Sequence, residues 1–494
     1  MKFQSTRDAN KIKYPSAQVI KQGLADDGGL FVPEAIPHVT HEDILSFCKL
    51  PYHVLAAKIL TMYLTDYCYD ELLSDCKMAY SEASFPGGAC QTVKVNDNTY
   101  SLELWHGPTC AFKDMALQIM PRLLSRALTM TGEDRTALIL VATSGDTGKA
   151  ALEGYKDIDR VKISVFYPES GVSTIQKLQM VTQTGSNVNV CGVNGNFDDI
   201  QSAVKRIFSD TDFAKELSSK GYLLSSANSI NFGRLAPQIV YYFKSYCDLI
   251  NEGKIVVGDK INVCVPTGNF GNILAAYIAK LMGLPIGKLI CASNSNNVLT
   301  EFLRTGTYNK NREFKVTSSP SMDILISSNL ERLLYFVCGE NNTAEYMKSL
   351  NDTGRYILDI DTLSAINNDF IGYFTDEYTT MRTVQDIHDN YGYLIDTHTG
   401  VAFSALDQYR EETGDQTIAI VASTANPYKF AKDVHDAIYD DVYLTDLQAF
   451  HRREKLSGDP IPAPLKDIEK REVKFDRVIS PDEMYEEIKR FINK

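Results

Sequence analysis

The chain has 494 residues, 44% hydrophobic and 23% charged, which suits a globular protein with ample core and excludes disorder, collagen or coiled coil as its main organisation. At roughly 150 residues per domain it predicts about three domains. Fifty Lys+Arg against 63 Asp+Glu leave a net charge of −13, and without basic runs such a chain is a poor partner for nucleic acid or an anionic membrane. An anionic substrate would need a local cationic pocket. The ten cysteines contain no C-x-x-C pair, so neither a zinc ribbon nor a redox pair is indicated. They read as reduced, buried thiols of a cytoplasmic protein. No run reaches the roughly 18 apolar residues of a membrane-spanning helix, and MKFQSTRDANK lacks the apolar block of a signal peptide.

Residues 1–90 read as a mostly helical domain. Helix-spaced apolar residues occupy 41–50 and 52–64, punctuated by Pro33, Pro37 and Pro51. Asp26-Asp27-Gly28-Gly29 is a turn, and Pro86-Gly87-Gly88 marks the first boundary. From about 99 the pattern alternates. Short β-rich runs at 137–142, 161–167, 188–193, 222–224, 261–265 and 288–292 are separated by helical stretches at 173–184, 198–208, 232–250 and 272–282. That order predicts α/β architecture, with parallel sheets covered by helices. Residues 296–375 read only as loops around short helices. A last α/β unit follows: helices near 376–390 and 400–412, a strand at 417–422 and a helix after Pro427. The domains expected are thus 1–90, a core over 91–450 with a smaller subdomain near 130–235, and a charged, Pro-containing tail over 451–494.

In an open α/β sheet, ligands collect where strand C-termini meet helix N-termini. Ser144-Gly145-Asp146-Thr147-Gly148 and Thr267-Gly268-Asn269-Phe270-Gly271-Asn272 both follow predicted strands. Each offers free N–H groups to an anion at a helix start. Either loop alone is equally a tight turn with an N-cap. Nucleotide fingerprints are missing: there is no G-x-G-x-x-G, Thr143 replaces the Walker glycine, and Ala150 follows Gly148-Lys149. The third piece is His106-Gly107-Pro108-Thr109-Cys110-Ala111-Phe112-Lys113-Asp114, opening a helix. A lysine there is ordinarily a solvated cation. Beside two anion-binding loops it can instead be a desolvated amine that forms a Schiff base with a phosphate-bearing carbonyl cofactor.

Together these motifs resemble threonine synthases, which are fold-type II pyridoxal-phosphate enzymes. Ser5-Thr6-Arg7, the run Gly23 to Pro33, Asn228-Ser229-Ile230-Asn231 with Arg234, and Ser423-Thr424-Ala425 with Pro427, Lys429 and Phe430 follow in the family's order. The length resembles the longer fungal and bacterial branch. The resemblance implies two parallel-type sheet domains with helices on both faces plus a helical N-terminal domain. Asn426 stands where many members carry His. Asp396-Thr397-His398-Thr399-Gly400 replaces the more usual Asp-Pro-His-Thr-Ala. Neither departure falls on an expected cofactor contact.

The resemblance also implies roles. Lys113 joins pyridoxal phosphate and, once freed, serves as base and acid. Gly268, Asn269, Phe270, Gly271 and Asn272 hold the cofactor phosphate, and Thr424 meets the pyridine nitrogen. Asp114 is a first-turn carboxylate without a catalytic part. The substrate implied is O-phospho-L-homoserine, its carboxylate at Ser144, Asp146 and Thr147, its phosphate at Asn231 and Arg234, with Asn228 nearby. The reaction implied is a β,γ-replacement by water that yields threonine. No metal is expected, nor a nucleic-acid or membrane partner, and the assembly expected is a monomer or homodimer. Two other readings stay open: a relative that has lost water addition, and a non-catalytic binding protein, against which the intact Lys113 argues.

Overall fold

The β-rich runs form strands, and the strands sort into two sheets. In the computed structural model, which describes residues 1–170, 172–439, 444–457 and 460–493, the larger sheet has six strands. Their order is Phe370–Phe374, Ile286–Ser293, Ile261–Pro266, Ala419–Ser423, Thr99–Glu103, Gln91–Lys94. All neighbours are parallel except the last pair, an antiparallel hairpin edge with Gln91 opposite Glu103. The smaller sheet is wholly parallel, in the order Val478–Ile479, Val188–Val193, Val161–Pro168, Thr136–Ala142, Tyr222–Ser225. Parallel neighbours need crossovers, and helices such as Asp146–Tyr155, Thr174–Val181 and Gly271–Leu281 provide them.

Four helices, Ser16–Gln22, His41–Phe47, Tyr52–Tyr63 and Tyr69–Ala79, dominate the first 90 residues. Thr40 and Asp43 form a reciprocal capping box that fixes the start of the second. Their buried Ile20, Leu55, Leu60 and Tyr63 share one core with Leu123, Ile163 and Val263. The helix Phe232–Asn251 runs through this core for 20 residues, about 30 Å. It is buried on nearly every side, as a helix between layers must be.

Residues 296–375 hold more structure than the sequence reveals. Val298–Thr305 and Ile360–Asp369 are helices, and Leu330–Thr353 is a long one interrupted at Gly339 (φ 76°, ψ 179°). Three-residue strands at Thr307–Asn309 and Arg355–Ile357 pair antiparallel, with Tyr308 and Tyr356 stacked at 5.3 Å. Phe370–Phe374 then adds the outer strand of the larger sheet. The segment over 451–494, read as a tail, also folds back. Val478–Ile479 extends the smaller sheet beside Gly192 and Val193, and Met484–Ile492 buries Met484, Ile488 and Phe491 against it. All ten cysteines are free and seven are buried. Among the described residues no helix is long and apolar enough to cross a membrane.

Candidate active site

The strand Thr99–Glu103 leads into the segment that carries Lys113. Backbone contacts fasten this segment to the far end of the neighbouring strand: Phe112 N–H donates to Thr424 O at 2.8 Å, and Asn426 N–H donates to Cys110 O at 3.0 Å. Lys113 and Thr424 are thereby set side by side, although 311 positions apart in sequence. Asp114 is buried and closes the turn, accepting from Thr109 N–H at 2.8 Å and Thr109 Oγ1 at 2.7 Å. Burial pushes its carboxyl up to about 7 despite those bonds.

The Lys113 side chain is half-buried, and its amine donates to Ser321 Oγ at 3.2 Å. Burial lowers it to about 8; Asp146 opposes the shift, and the charges of Lys429 and Arg234 add to it. At pH 7 roughly one such amine in ten is neutral, against about one in three thousand for a solvated lysine.

Around this amine the structure gathers both glycine loops and the 228–234 segment. In the first loop, Thr143 Oγ1 accepts from Gly145 N–H at 3.0 Å and Gly148 N–H at 2.9 Å, which sets the tight turn. Gly145 sits at φ 147°, where a Cβ would lie 2.5 Å from the Gln176 side chain. Ser144 is exposed and Thr147 half-buried. Asp146 points inward: it pairs with Lys429 Nζ at 2.5 Å and accepts from Gln176 Nε2 at 2.7 Å. Burial alone would raise this carboxyl, but Lys429 and Lys113 hold it well below the usual range.

In the second loop, Phe270 adopts a left-handed conformation (φ 62°) that opens the helix Gly271–Leu281. The carbonyls on its outer side are held, Gly268 O by Ser327 Oγ at 2.6 Å and Asn269 O by Asn329 N–H at 3.1 Å. The N–H groups of Gly268, Asn269, Phe270, Gly271 and Asn272 have no acceptor among the described residues. Asn272 Oδ1 accepts from Tyr241 and Tyr242, while its buried Nδ2 is unpartnered.

Asn228 is exposed and folds onto its own turn, its Oδ1 accepting from Ser229 Oγ at 3.3 Å. Asn231 is 2% exposed. Its Oδ1 caps the long helix through Gly233 N–H, and its Nδ2 donates to Ile20 O, each at 2.9 Å. Arg234 is buried and donates from Nη1 to Ala227 O at 2.7 Å; its Nε is unpartnered, and no carboxylate pairs with it among the described residues. Loss of water brings it down to about 10.

The region the sequence left unread supplies much of the scaffold. Asn329 Nδ2 donates to Asn269 O at 3.0 Å and to Ser229 O at 3.3 Å, bridging two site loops. The fully buried Arg332 reaches Ile230 O at 2.6 Å and Phe31 O at 2.9 Å, tying in the N-terminal domain. No spacing rule marks these residues, because their partners are backbone carbonyls far away in the chain.

The donor set fits pyridoxal phosphate. Free N–H groups at a helix start suit its phosphate, a depressed lysine amine suits its carbonyl, and the Thr424 hydroxyl, engaged by no described residue, suits a ring nitrogen. A Cβ at Gly268 would lie 2.5 Å from Ser321 O, so only glycine lets the loop pass beneath that segment.

Comparison with known proteins agrees with this geometry. The family model "Threonine synthase N terminus" matches residues 2–80, "Pyridoxal-phosphate dependent enzyme" residues 94–424, and "Threonine synthase, C-terminal" residues 399–492. The chain is 39% identical over 435 residues to threonine synthase-like 1 of Homo sapiens, covering 85% of this chain but only 58% of that protein's length. It is 37% identical over 452 residues to the threonine synthase of Pseudomonas aeruginosa, covering 90% and 92% of the two chains. The crystal structure of PLP-bound threonine synthase from Brucella melitensis superposes with a TM-score of 0.88 at 34% identity, covering 100% of both chains. With the lysine, both loops and the matched domains in a single order along one polypeptide, this chain belongs to the threonine synthase family of pyridoxal-phosphate-dependent enzymes.

Proposed function

We propose that this protein is a threonine synthase, converting O-phospho-L-homoserine and water into L-threonine and inorganic phosphate. The observation that carries the reading is the buried guanidinium of Arg234, whose Nε is unpartnered and which meets no carboxylate among the described residues, on the segment that flanks Lys113. The cofactor cradle needs only one anion site. A further uncompensated guanidinium beside it suits a substrate that brings its own phosphate.

Bound pyridoxal phosphate supplies an electron sink for charge that develops on the substrate carbons. Lys113 carries the cofactor, and its Nζ takes and returns protons along the substrate chain; a pKa near 8 suits it to both tasks near neutral pH. Gly268, Asn269, Phe270, Gly271 and Asn272 hold the cofactor phosphate, and Thr424 faces the ring nitrogen. Ser144 and Thr147 receive the substrate carboxylate. Arg234 receives its phosphate, Asn231 serves by fixing the helix start that presents Arg234, and Asn228 borders the same turn. Asp146 acts through Lys429 and Lys113 and does not touch substrate. Residues 1–90 form the N-terminal unit of this enzyme. The protein works in the cytoplasm, a reading supported by its ten free cysteines, and its assembly is a monomer or homodimer.

Incubation with O-phospho-L-homoserine, with phosphate and amino-acid products both measured, tests this reading. Threonine and phosphate in equal amounts are expected. 2-Oxobutyrate with phosphate would identify a relative that lacks water addition, and absence of phosphate release would refute both.

A further inference from the structure

Lys113 Nζ meets one side chain that neither loop supplies, and that side chain is held from behind with unusual care. Ser321 lies in the one-turn 3-10 helix Pro320–Met322, within the region that the sequence reads only as loops around short helices. Its Oγ accepts from Lys113 Nζ at 3.2 Å. Its backbone N–H donates to His398 Nε2 at 3.1 Å, and His398 Nδ1 lies 2.7 Å from Asp396 Oδ2. Both members of that pair are buried, His398 at 2% and Asp396 at 0% exposure. With Nδ1–H directed at the carboxylate, Nε2 is the lone-pair nitrogen, as acceptance from Ser321 requires.

The flanks of Ser321 are fastened as well. Asp323 Oδ1 accepts from Asn294 Nδ2 at 2.8 Å, Asn296 Nδ2 at 2.9 Å and Thr317 Oγ1 at 2.7 Å. Thr397 Oγ1 donates to Ser318 O at 2.6 Å. That contact uses the threonine that replaces the family's usual proline, a residue with no hydroxyl to give. Asp396 also accepts from Thr399, whose Oγ1 lies 3.2 Å from Ser423 Oγ, next to Thr424. One buried carboxylate therefore ties the Ser321 segment to the strand end expected to face the cofactor ring.

We propose that Ser321 is a catalytic residue that orients the Lys113 amine and holds a proton at its Nζ, and that Asp396 and His398 are the positioning pair that sets the Ser321 hydroxyl. An amine that must serve several substrate carbons in turn needs a fixed acceptor for the N–H not in use. Without one its three-fold rotor leaves the lone pair undirected. The proposal rests on Lys113 being the cofactor lysine.

The test begins on the full chain stripped of cofactor, so that it reads Lys113 directly. Competitive labelling with acetic anhydride across pH 6–11, followed by peptide mass spectrometry, gives the titration midpoint of Lys113. The charged groups facing that amine are Asp146, Lys429 and Arg234, with the carboxylates of Asp323 and Asp396 and the imidazole of His398 behind Ser321, and all are retained in every serine variant. An accepted hydrogen bond favours the ammonium form, so Ser321→Ala should lower the midpoint by about one unit. Ser321→Thr, which keeps a hydroxyl, should restore it. Circular dichroism checks the fold.

On the loaded enzyme, Ser321→Ala should lower kcat by about tenfold or more and leave KM within about twofold. His398→Phe should lower kcat in the same direction, and the double variant should lose no more than Ser321→Ala alone, because the histidine acts through the serine. An unchanged Lys113 midpoint in Ser321→Ala, or losses that multiply in the double variant, would overturn the proposal. A wild-type protein that releases no phosphate would overturn the assigned reaction instead, and the labelling arm would still decide the Ser321 contact.

Discussion

Lys429→Met would strand a buried carboxylate beside the reactive amine. Asp146 and Lys429 meet at 2.5 Å with 4% and 0% of their side chains exposed. Lys429 also donates to Thr109 O at 3.0 Å, and Asp146 also accepts from Gln176 Nε2 at 2.7 Å. Each ion has given up its hydration, so the intact pair adds little net stability; removal of one partner leaves the other uncompensated and costs about 3–5 kcal/mol. The lower end is expected, because Lys113 faces the same carboxylate. The second consequence is chemical. Lys429 helps keep Lys113 at about 8, while Asp146 pulls the other way. Loss of Lys429 therefore raises the amine, leaves less of it neutral at pH 7 and slows capture of pyridoxal phosphate. Asp146→Asn removes the anion and shifts Lys113 further down. The double variant, with no charge left in the pair, recovers most of the stability. Urea unfolding of the cofactor-free proteins gives the coupling energy, and capture rate against pH gives the amine's midpoint. A Lys429→Met protein within about 1 kcal/mol of wild type, the worth of an exposed pair, would refute the argument, as would a double variant no more stable than the single.

Lys113 itself should be a stability liability. Its folded pKa of about 8 lies below the free value of 10.5, so the cost of burying it is full below pH 8 and fades as pH rises toward 10.5. Cofactor-free Lys113→Met should then be more stable at pH 7 by up to about 3 kcal/mol, the gain shrinking through pH 8–10, and unfolding curves across that series would check it. Gly271→Val should weaken cofactor retention on dialysis without loss of fold, since a Cβ there meets only the Asn329 and Gln238 side chains at 3.5 and 3.6 Å while the branched methyls crowd the N–H cradle. Arg234→Ala should keep the bound cofactor's visible spectrum but lose one to two orders of magnitude in kcat/KM for O-phospho-L-homoserine, as removal of a charge-assisted bond of roughly 1.5–3 kcal/mol implies, with Arg234→Lys recovering part.

The two sheets were legible because burial on both faces writes continuous β-branched runs, as in Ile261–Pro266 and Val161–Pro168. The two glycine loops were legible for a related reason: small residues in sequence stand out between a strand and a helix. What escaped notice depends on contacts at long range. The pair Thr307–Asn309 and Arg355–Ile357 has three residues a side, too few for alternation to register, and it owes its place to Tyr308 stacked on Tyr356. The C-terminal strand Val478–Ile479 has two residues and exists only because Val188–Val193 offers an open edge. Ser321, His398 and Asn329 lie on three different segments, and no linear pattern records that they converge.

The electrostatics show the same division between what a sum over residues reveals and what placement decides. Summed over the chain, a net charge of −13 opposes the approach of a phosphorylated ligand. Yet the side chains nearest the site invert that field. Arg234, Lys429 and Arg332 are buried cations and Lys113 is half-buried, and among the described residues Lys429 alone of the four has a carboxylate in direct contact. Charges left unpaired at that depth are costly, which is why burial brings Arg234 down to about 10 and Arg332 to about 9. An anion bound beside such a charge lowers that cost. On the proposed reading a bound phosphate relieves that cost, and the surplus acid on the surface does little to offset it because solvent screens it within about 10 Å.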